Sequence, residues 1–182
     1  MAREIITHFH YIHHHGDSQR GFTLLELVFT VVIMGILIAM AAPSFNGLIE
    51  SNKVKRLATE IEWLLVQAKS EAVMRGVEVY VESTASNMSP RSVVSWKITS
   101  LDSESTIFST IESVSFSGID MTNTRSLKFF SFDPLHGKPN ANGSYRYSIG
   151  DYKLKTVLYS ITGRIYTCLE ADSKKLGTYE KC

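Results

Sequence analysis

Hydrophobic and polar positions along the chain follow three successive rhythms. From Phe22 to Ala42 nearly every position is apolar, and Glu26 is the one charged residue inside the run. From Phe45 to Ala72 apolar residues recur at three- and four-residue steps, through Phe45, Leu48, Ile49, Leu57, Ile61, Leu64, Leu65, Ala68 and Ala72. Glu50, Lys53, Lys55, Arg56, Glu60, Glu62, Lys69 and Glu71 fall between them. That is one apolar stripe on a polar helix. After Gly76 the period drops to two. VEVYVES (77–83) alternates, and β-branched or aromatic runs follow at 92–99, 105–111, 113–119, 126–132, 143–150 and 153–168. The last has room for two strands around Thr162-Gly163. Turn signals at 87–90, Asp133-Pro134 and Asn142-Gly143 separate the runs.

The first two rhythms join into one helix over 23–75. Pro43 removes one backbone hydrogen bond and crowds the preceding turn, so it kinks the rod without ending it. Arg75-Gly76 closes the helix with a basic last turn and then glycine. The predicted class is α+β: a long kinked N-terminal helix, its first half transmembrane, packed on a mostly antiparallel β domain. The stripe of 45–72 is the expected lid for one face of the sheet. The chain divides into a polar leader (1–21), an apolar helix segment (22–42), an amphipathic helix segment (43–76) and a β domain (77–182).

Residues 22–42 make roughly 30 Å of helix, the thickness of a hydrocarbon core. A carboxylate there costs about 2.5–3.5 kcal/mol at a helix centre on insertion scales, so Glu26 calls for a reason. Composition adds little. The net charge of +1 supplies no global basic field for nucleic acid or an anionic surface. Arg20 flanks one end of the span and Lys53, Lys55 and Arg56 lie beyond the other, so positive charge leaves the orientation open. The two cysteines, Cys168 and Cys182, are either two separate thiols or a bridge closing a short loop. A bridge of that size is worth roughly 3 kcal/mol in the chain-entropy model and persists in an oxidising compartment.

Arg20-Gly21-Phe22-Thr23-Leu24-Leu25-Glu26 resembles the type III signal of type IV pilins and pseudopilins. The resemblance implies that a prepilin peptidase cuts between Gly21 and Phe22 and methylates the new N-terminus of Phe22. Leu24, Leu25 and Leu27 match the apolar positions around the glutamate, and Pro43 matches the family's kinking proline. Glu26 then has a reason. Phe22 and Glu26 share a helix face, and in a filament core the carboxylate of one subunit meets the free amine of a neighbour. Such a pair sets subunit register more than it adds stability.

Residues 41–76 narrow the resemblance to the GspH/FimT family of minor pilins. The stretch Ser70-Glu71-Ala72-Val73-Met74-Arg75-Gly76, the turn Phe132-Asp133-Pro134 and the late Thr162-Gly163-Arg164 carry it. It implies a minor pilin of a type IV pilus, helping to prime assembly, with a tip position in the filament. The implied partners are prepilin peptidase, other minor pilins and a major pilin or pseudopilin. The implied location is a single pass in the bacterial inner membrane with the β domain in the periplasm, then the pilus or pseudopilus. A type II secretion pseudopilin is the alternative. A DNA-binding minor pilin for natural transformation is a second. Some pilus members bind DNA through Gly-Arg-x-Arg, but here Tyr166 stands at the second arginine after Arg164. Lys153, Lys155, Lys174, Lys175 and Lys181 are close in sequence, and a tyrosine stacks on bases, while the lost arginine removes a phosphate contact.

Other signals read as ordinary structure. HFHYIHHH (8–15) has metal-ligand chemistry but falls in the leader. Asp133, Asn140 and Asn142 have calcium-type oxygens at a spacing that fits a hairpin turn better. Asn87 and Asn142 stand in glycosylation sequons that also read as turns. No serine elbow, phosphate loop or cysteine–base pair is present in the sequence. The expectation is therefore a structural subunit without a catalytic site, cofactor or metal.

Overall fold

The computed structural model describes residues 22–84, 95–177 and 179–182, with the side chains of 41–44 outside the described set. The leader 1–21, the turn 87–90 with Asn87, and positions 92–94 of the expected second strand therefore lie outside the described residues.

Helix α1 runs over Leu24–Arg75. The chain divides at Ala42/Pro43 into two compact units. In the first, all apolar side chains from Phe22 to Met40 are exposed. By length and hydropathy no single helix among the described residues qualifies as a membrane span, while Leu24–Met40 taken with Phe45–Arg75 does. Pro43 lies at the boundary, and the kink expected there rests on side chains outside the described set. The helix ends as its sequence predicts: the Gly76 N–H donates to the Ala72 carbonyl at 3.0 Å, and Gly76 takes φ +68°, a conformation glycine adopts without strain.

In the second unit α1 covers the β domain. The strands are β1 (Val79–Ser83), β2 (Lys97–Asp102), β3 (Ile107–Glu112), β4 (Asp120–Asn123), β5 (Phe129–Phe132), β6 (Gly143–Ile149), β7 (Tyr152–Leu158) and β8 (Ile165–Leu169). Among the described residues they form two antiparallel sheets, in the orders β3-β2-β1-β5 and β4-β6-β7-β8. The period-two residues point where alternation puts them. Val79, Val81, Ile98, Phe130 and Phe132 from the first sheet and Tyr145, Tyr147 and Leu154 from the second meet Val54, Leu57, Ile61, Leu64, Leu65 and Ala68 of α1 in one core.

Two expectations change. The run 113–119 is not a strand: Ser113–Phe116 make a 3-10 turn. The turn buries Phe116 against Trp96, with ring centroids 6.1 Å apart, and the Trp96 indole N–H donates to the Ile119 carbonyl at 3.1 Å. Val114 is left in solvent, so β-branched composition here had no sheet face to fill. The helix stripe also splits. Residues from Val54 to Ala72 are buried as a lid, but Phe45, Leu48 and Ile49 are 58%, 56% and 58% exposed. At about 100° per residue Leu48 lies about 180° from Leu57 and Phe45 about 160° from Ile61, so these two belong to a different helix face, with Ile49 at its edge about 80° from Leu57.

Candidate functional site

The N-terminal end of α1 is built by Thr23. The Glu26 N–H donates to the Thr23 hydroxyl at 3.2 Å, and the Leu27 N–H donates to the Thr23 carbonyl at 3.1 Å. Thr23 is thus the N-cap, Leu24 the first helical residue and Glu26 the third. Thr-x-x-Glu is the capping-box pattern, and an acid in the first turn suits the positive end of the helix dipole. Phe22 stands just outside the helix, 77% exposed. Glu26 is therefore at home in this turn before any neighbour is considered. The signal for this cap is in the sequence itself, as the Thr-x-x-Glu spacing of Thr23 and Glu26. Gly21 lies outside the described residues.

A second helix face is exposed. Phe45, Leu48, Ile49, Trp63, Val66, Val73 and Met74 project from α1 on the side away from the core, and Trp63 is 67% exposed. Arg56–Glu60 and Glu71–Arg75 ion pairs, at 2.9 and 2.6 Å, run along the helix beside it. Within its own chain α1 thus carries one apolar stripe that is covered and one that is not.

Arg164 and Tyr166 meet at the β7–β8 connection. Gly163 takes φ +63°, its N–H donates to the Tyr159 carbonyl at 2.9 Å, and the Tyr159 N–H donates to the Arg164 carbonyl at 3.1 Å. The Arg164 guanidinium lies 4.9 Å from the Tyr166 ring centre, and Tyr166 stacks on Tyr159 at 6.1 Å. A hydrogen bond with Tyr159 pushes the Tyr166 hydroxyl above its ordinary range. Of the lysines considered with this turn, Lys153 pairs with Asp172, which raises the lysine and lowers the carboxyl. The neighbouring Arg146 pairs with Glu170 at 3.2 Å. Arg164 thus lies over Tyr166, and Lys153 and Arg146 are ion-paired within the chain.

Cys168 and Cys182 form a disulfide, their Cα atoms 5.1 Å apart. Of the two possibilities left open by the sequence, the bridge is the one formed.

The calcium-type oxygens are turn acceptors. Asp133 Oδ2 accepts the His136 N–H at 2.9 Å and lies 2.9 Å from His136 Nδ1. That side-chain bond holds Asp133 below its ordinary value. Asn140 Oδ1 accepts the Ser131 N–H at 3.0 Å, and Asn142 Oδ1 accepts the Ser160 N–H at 2.5 Å. Ser144 of the Asn142 sequon is buried, as a strand residue on β6.

The prokaryotic N-terminal methylation motif matches residues 16–42, and the family model of type II transport protein GspH matches 57–163. A fimbrial protein of Pseudomonas aeruginosa is 37% identical over 67 residues, covering 37% of this chain and 43% of that one. The type IV major fimbrial protein FimA of Dichelobacter nodosus is 35% identical over 77 residues, 38% of this chain and 46% of that one. The chain thus spans less than half the length of the curated relatives it matches. The crystal structure of the type IV minor pilin FimU of Pseudomonas aeruginosa is similar at a TM-score of 0.45 and 17% identity, over 68% of this chain and 92% of that one.

Proposed function

The chain belongs to the GspH family of pilin-like proteins and carries the prokaryotic N-terminal methylation motif ahead of it, and on that premise we propose that it is a minor pilin of a type IV pilus. A prepilin peptidase cuts between Gly21 and Phe22 and methylates Phe22. Residues 22–42 hold the precursor in the bacterial inner membrane with the β domain in the periplasm. The processed subunit then enters a filament with other minor pilins and the major pilin, where it helps to prime assembly from the tip. Pro43 kinks the helix between its two environments.

The observation that carries this reading is the doubly apolar α1. A helix needs one apolar face to cover its own β domain, and here that face runs from Val54 to Ala72. The second face, with Phe45, Leu48, Trp63, Val66 and Met74 in solvent, suits a subunit that packs among other helices. Glu26 in the first turn sits four residues from Phe22, whose amine becomes free on cleavage. In the apolar core of a filament, that amine and a neighbour's Glu26 neutralise one another and set the register.

A type II secretion pseudopilin is the second reading, favoured by the description of the matched family itself. Both machines use the same helix. Contact with DNA through Arg164 and Tyr166 has less support, because Arg164 already lies over Tyr166 and Lys153 is paired with Asp172.

Deleting the gene and counting surface pili by electron microscopy, with retraction disabled in a parallel strain, separates these readings. Pili that vanish and return without retraction establish a priming subunit. Unchanged pili together with a secretion defect move the protein to the secretion machine. Unchanged pili with lost DNA uptake point to Arg164.

A further inference from the structure

Each sheet has two outer edges, and a strand edge with free N–H and C=O groups invites another strand. In this chain the four edges are handled in two ways. β3 ends in Glu112 and pairs with β2 through an irregular register at Ser100/Leu101, while β4 is a short strand that begins with Asp120. Charge and irregularity are protections against edge pairing, and among the described residues no strand lies outside either. β5 (Phe-Phe-Ser-Phe) and β8 (Ile-Tyr-Thr-Cys-Leu) carry no charge, no proline and no glycine. Such uncharged, β-prone segments are the ones that pair with copies of themselves.

On both of these edges the chain itself covers one end. Beside β5, the Ser131 carbonyl accepts the Asn140 N–H at 3.0 Å, and Phe132 bridges Pro139. Beside β8, the Leu169 N–H donates to the Glu180 carbonyl at 2.7 Å and the Leu169 carbonyl accepts the Cys182 N–H at 3.0 Å. Leu169 and Lys181 form a parallel bridge. The loop over β5 is held from several sides: Asp133, His136 and Asn140 bind within it, and Gly137 lies tight against Lys69 and Val73 of α1. The segment over β8 is tied to that strand by the disulfide from Cys182 to Cys168.

We propose that the Cys168–Cys182 bridge is an edge lock. It keeps residues 180–182 on the outer side of β8 and so denies that edge to β8 of a second copy. The Leu169 end of this edge already takes backbone partners, through its two hydrogen bonds to Glu180 and Cys182 and its bridge to Lys181. An uncharged antiparallel strand is complementary to its own copy across a two-fold axis, which makes a second copy the occupant. The proposal is independent of the pilus reading, because it concerns the β domain before or outside any filament.

The test uses the full chain in detergent micelles, in three forms: wild type, the variant Cys168→Ser with Cys182→Ser, and that variant with Tyr166→Lys added. Tyr166 is on β8 and outside the core, and lysine is the residue natural edges use against pairing. Association through α1 is common to all three and cancels. Expected in the double variant are loss of amide-exchange protection at Leu169, retained protection in β6 and β7, and a concentration-dependent doubling of mass relative to wild type. Adding Tyr166→Lys returns the mass to the wild-type value. Equal mass for wild type and double variant overturns the lock, as does association that survives Tyr166→Lys. General loss of protection in β6 and β7 also overturns it, since the bridge would then serve folding of the whole domain.

Discussion

The backbone N–H of Glu26 donates to the Thr23 hydroxyl at 3.2 Å, inside the first turn of α1. The turn is capped from within the chain, so the Glu26 carboxylate is not needed to hold the helix end together. On the proposed reading it acts between subunits. The helix dipole adds only about 0.3–1 kcal/mol in its favour at an exposed site.

Glu26→Ala is accordingly expected to leave leader removal intact and to abolish entry into the filament. Removing one partner of a buried ion pair costs about 3–5 kcal/mol, more than a hundredfold in an assembly equilibrium. Mass spectrometry of the membrane fraction and immunodetection in sheared filaments measure the two steps. Normal incorporation would remove the register argument.

Gly21→Ala is expected to block the cut itself, leaving the leader on a chain that still folds its β domain. Intact mass decides this: a processed mass in the variant would sink the assignment of the scissile bond.

Leu48 and Leu57 are both leucines of the amphipathic half of α1, yet they lie on opposite helix faces and differ in the fold. Leu57 is 0% exposed and Leu48 is 56% exposed. Leu57→Ala should cost about 2–5 kcal/mol of stability, and Leu48→Ala should stay within about 0.5 kcal/mol. Thermal melts of the two variants compare them directly. If Leu48 belongs to a subunit contact, its variant loses filament incorporation while its melting temperature is unchanged.

The buried Thr156 joins the buried Tyr147 hydroxyl and the half-buried Thr167 hydroxyl, lying 2.8 Å from Tyr147 Oη and 2.8 Å from Thr167 Oγ1. Thr156→Val keeps the shape and strands the Tyr147 hydroxyl, at a cost of about 1–3 kcal/mol. Thr156→Ser should restore most of it. A valine variant as stable as wild type would show that the chain of hydroxyls contributes little.

Burial pushes the Tyr145 and Tyr147 hydroxyls well above their ordinary value of 10.0. In the unfolded chain both ionise near that value, whereas in the fold they stay neutral. The native state therefore holds more protons at alkaline pH. Stability is fully present below about pH 10 and falls as pH rises beyond it. Urea midpoints across that range should decline, and Tyr147→Phe should flatten the decline. A midpoint independent of pH would contradict it.

Local rules carried a large part of this protein. The long α1, the glycine stop after Arg75, the antiparallel strands and the turn at Gly163 all rest on near-neighbour effects: periodicity, capping and turn chemistry. The Gly-Phe-Thr-Leu-Leu-Glu signal is likewise a local string, which is why a family resemblance was legible from it. What is not local had to come from the tertiary structure. Leu48 and Leu57 lie on opposite faces of the helix, and which of the two faces is covered depends on the side on which the β domain packs; periodicity has no term for that. Ser113–Phe116 became a 3-10 turn because Trp96, 20 residues away on the other side of β2 and β3 in sequence, offered Phe116 a place. The pairing of Cys168 with Cys182 and the cover of β8 by 180–182 depend on strand order, a property of the whole sheet. Sequence by itself determined most of the elements and the signal; only the packed chain decided the turn at Ser113–Phe116 and which faces and edges stay open, because burial and edge pairing are set by contacts between segments far apart in sequence.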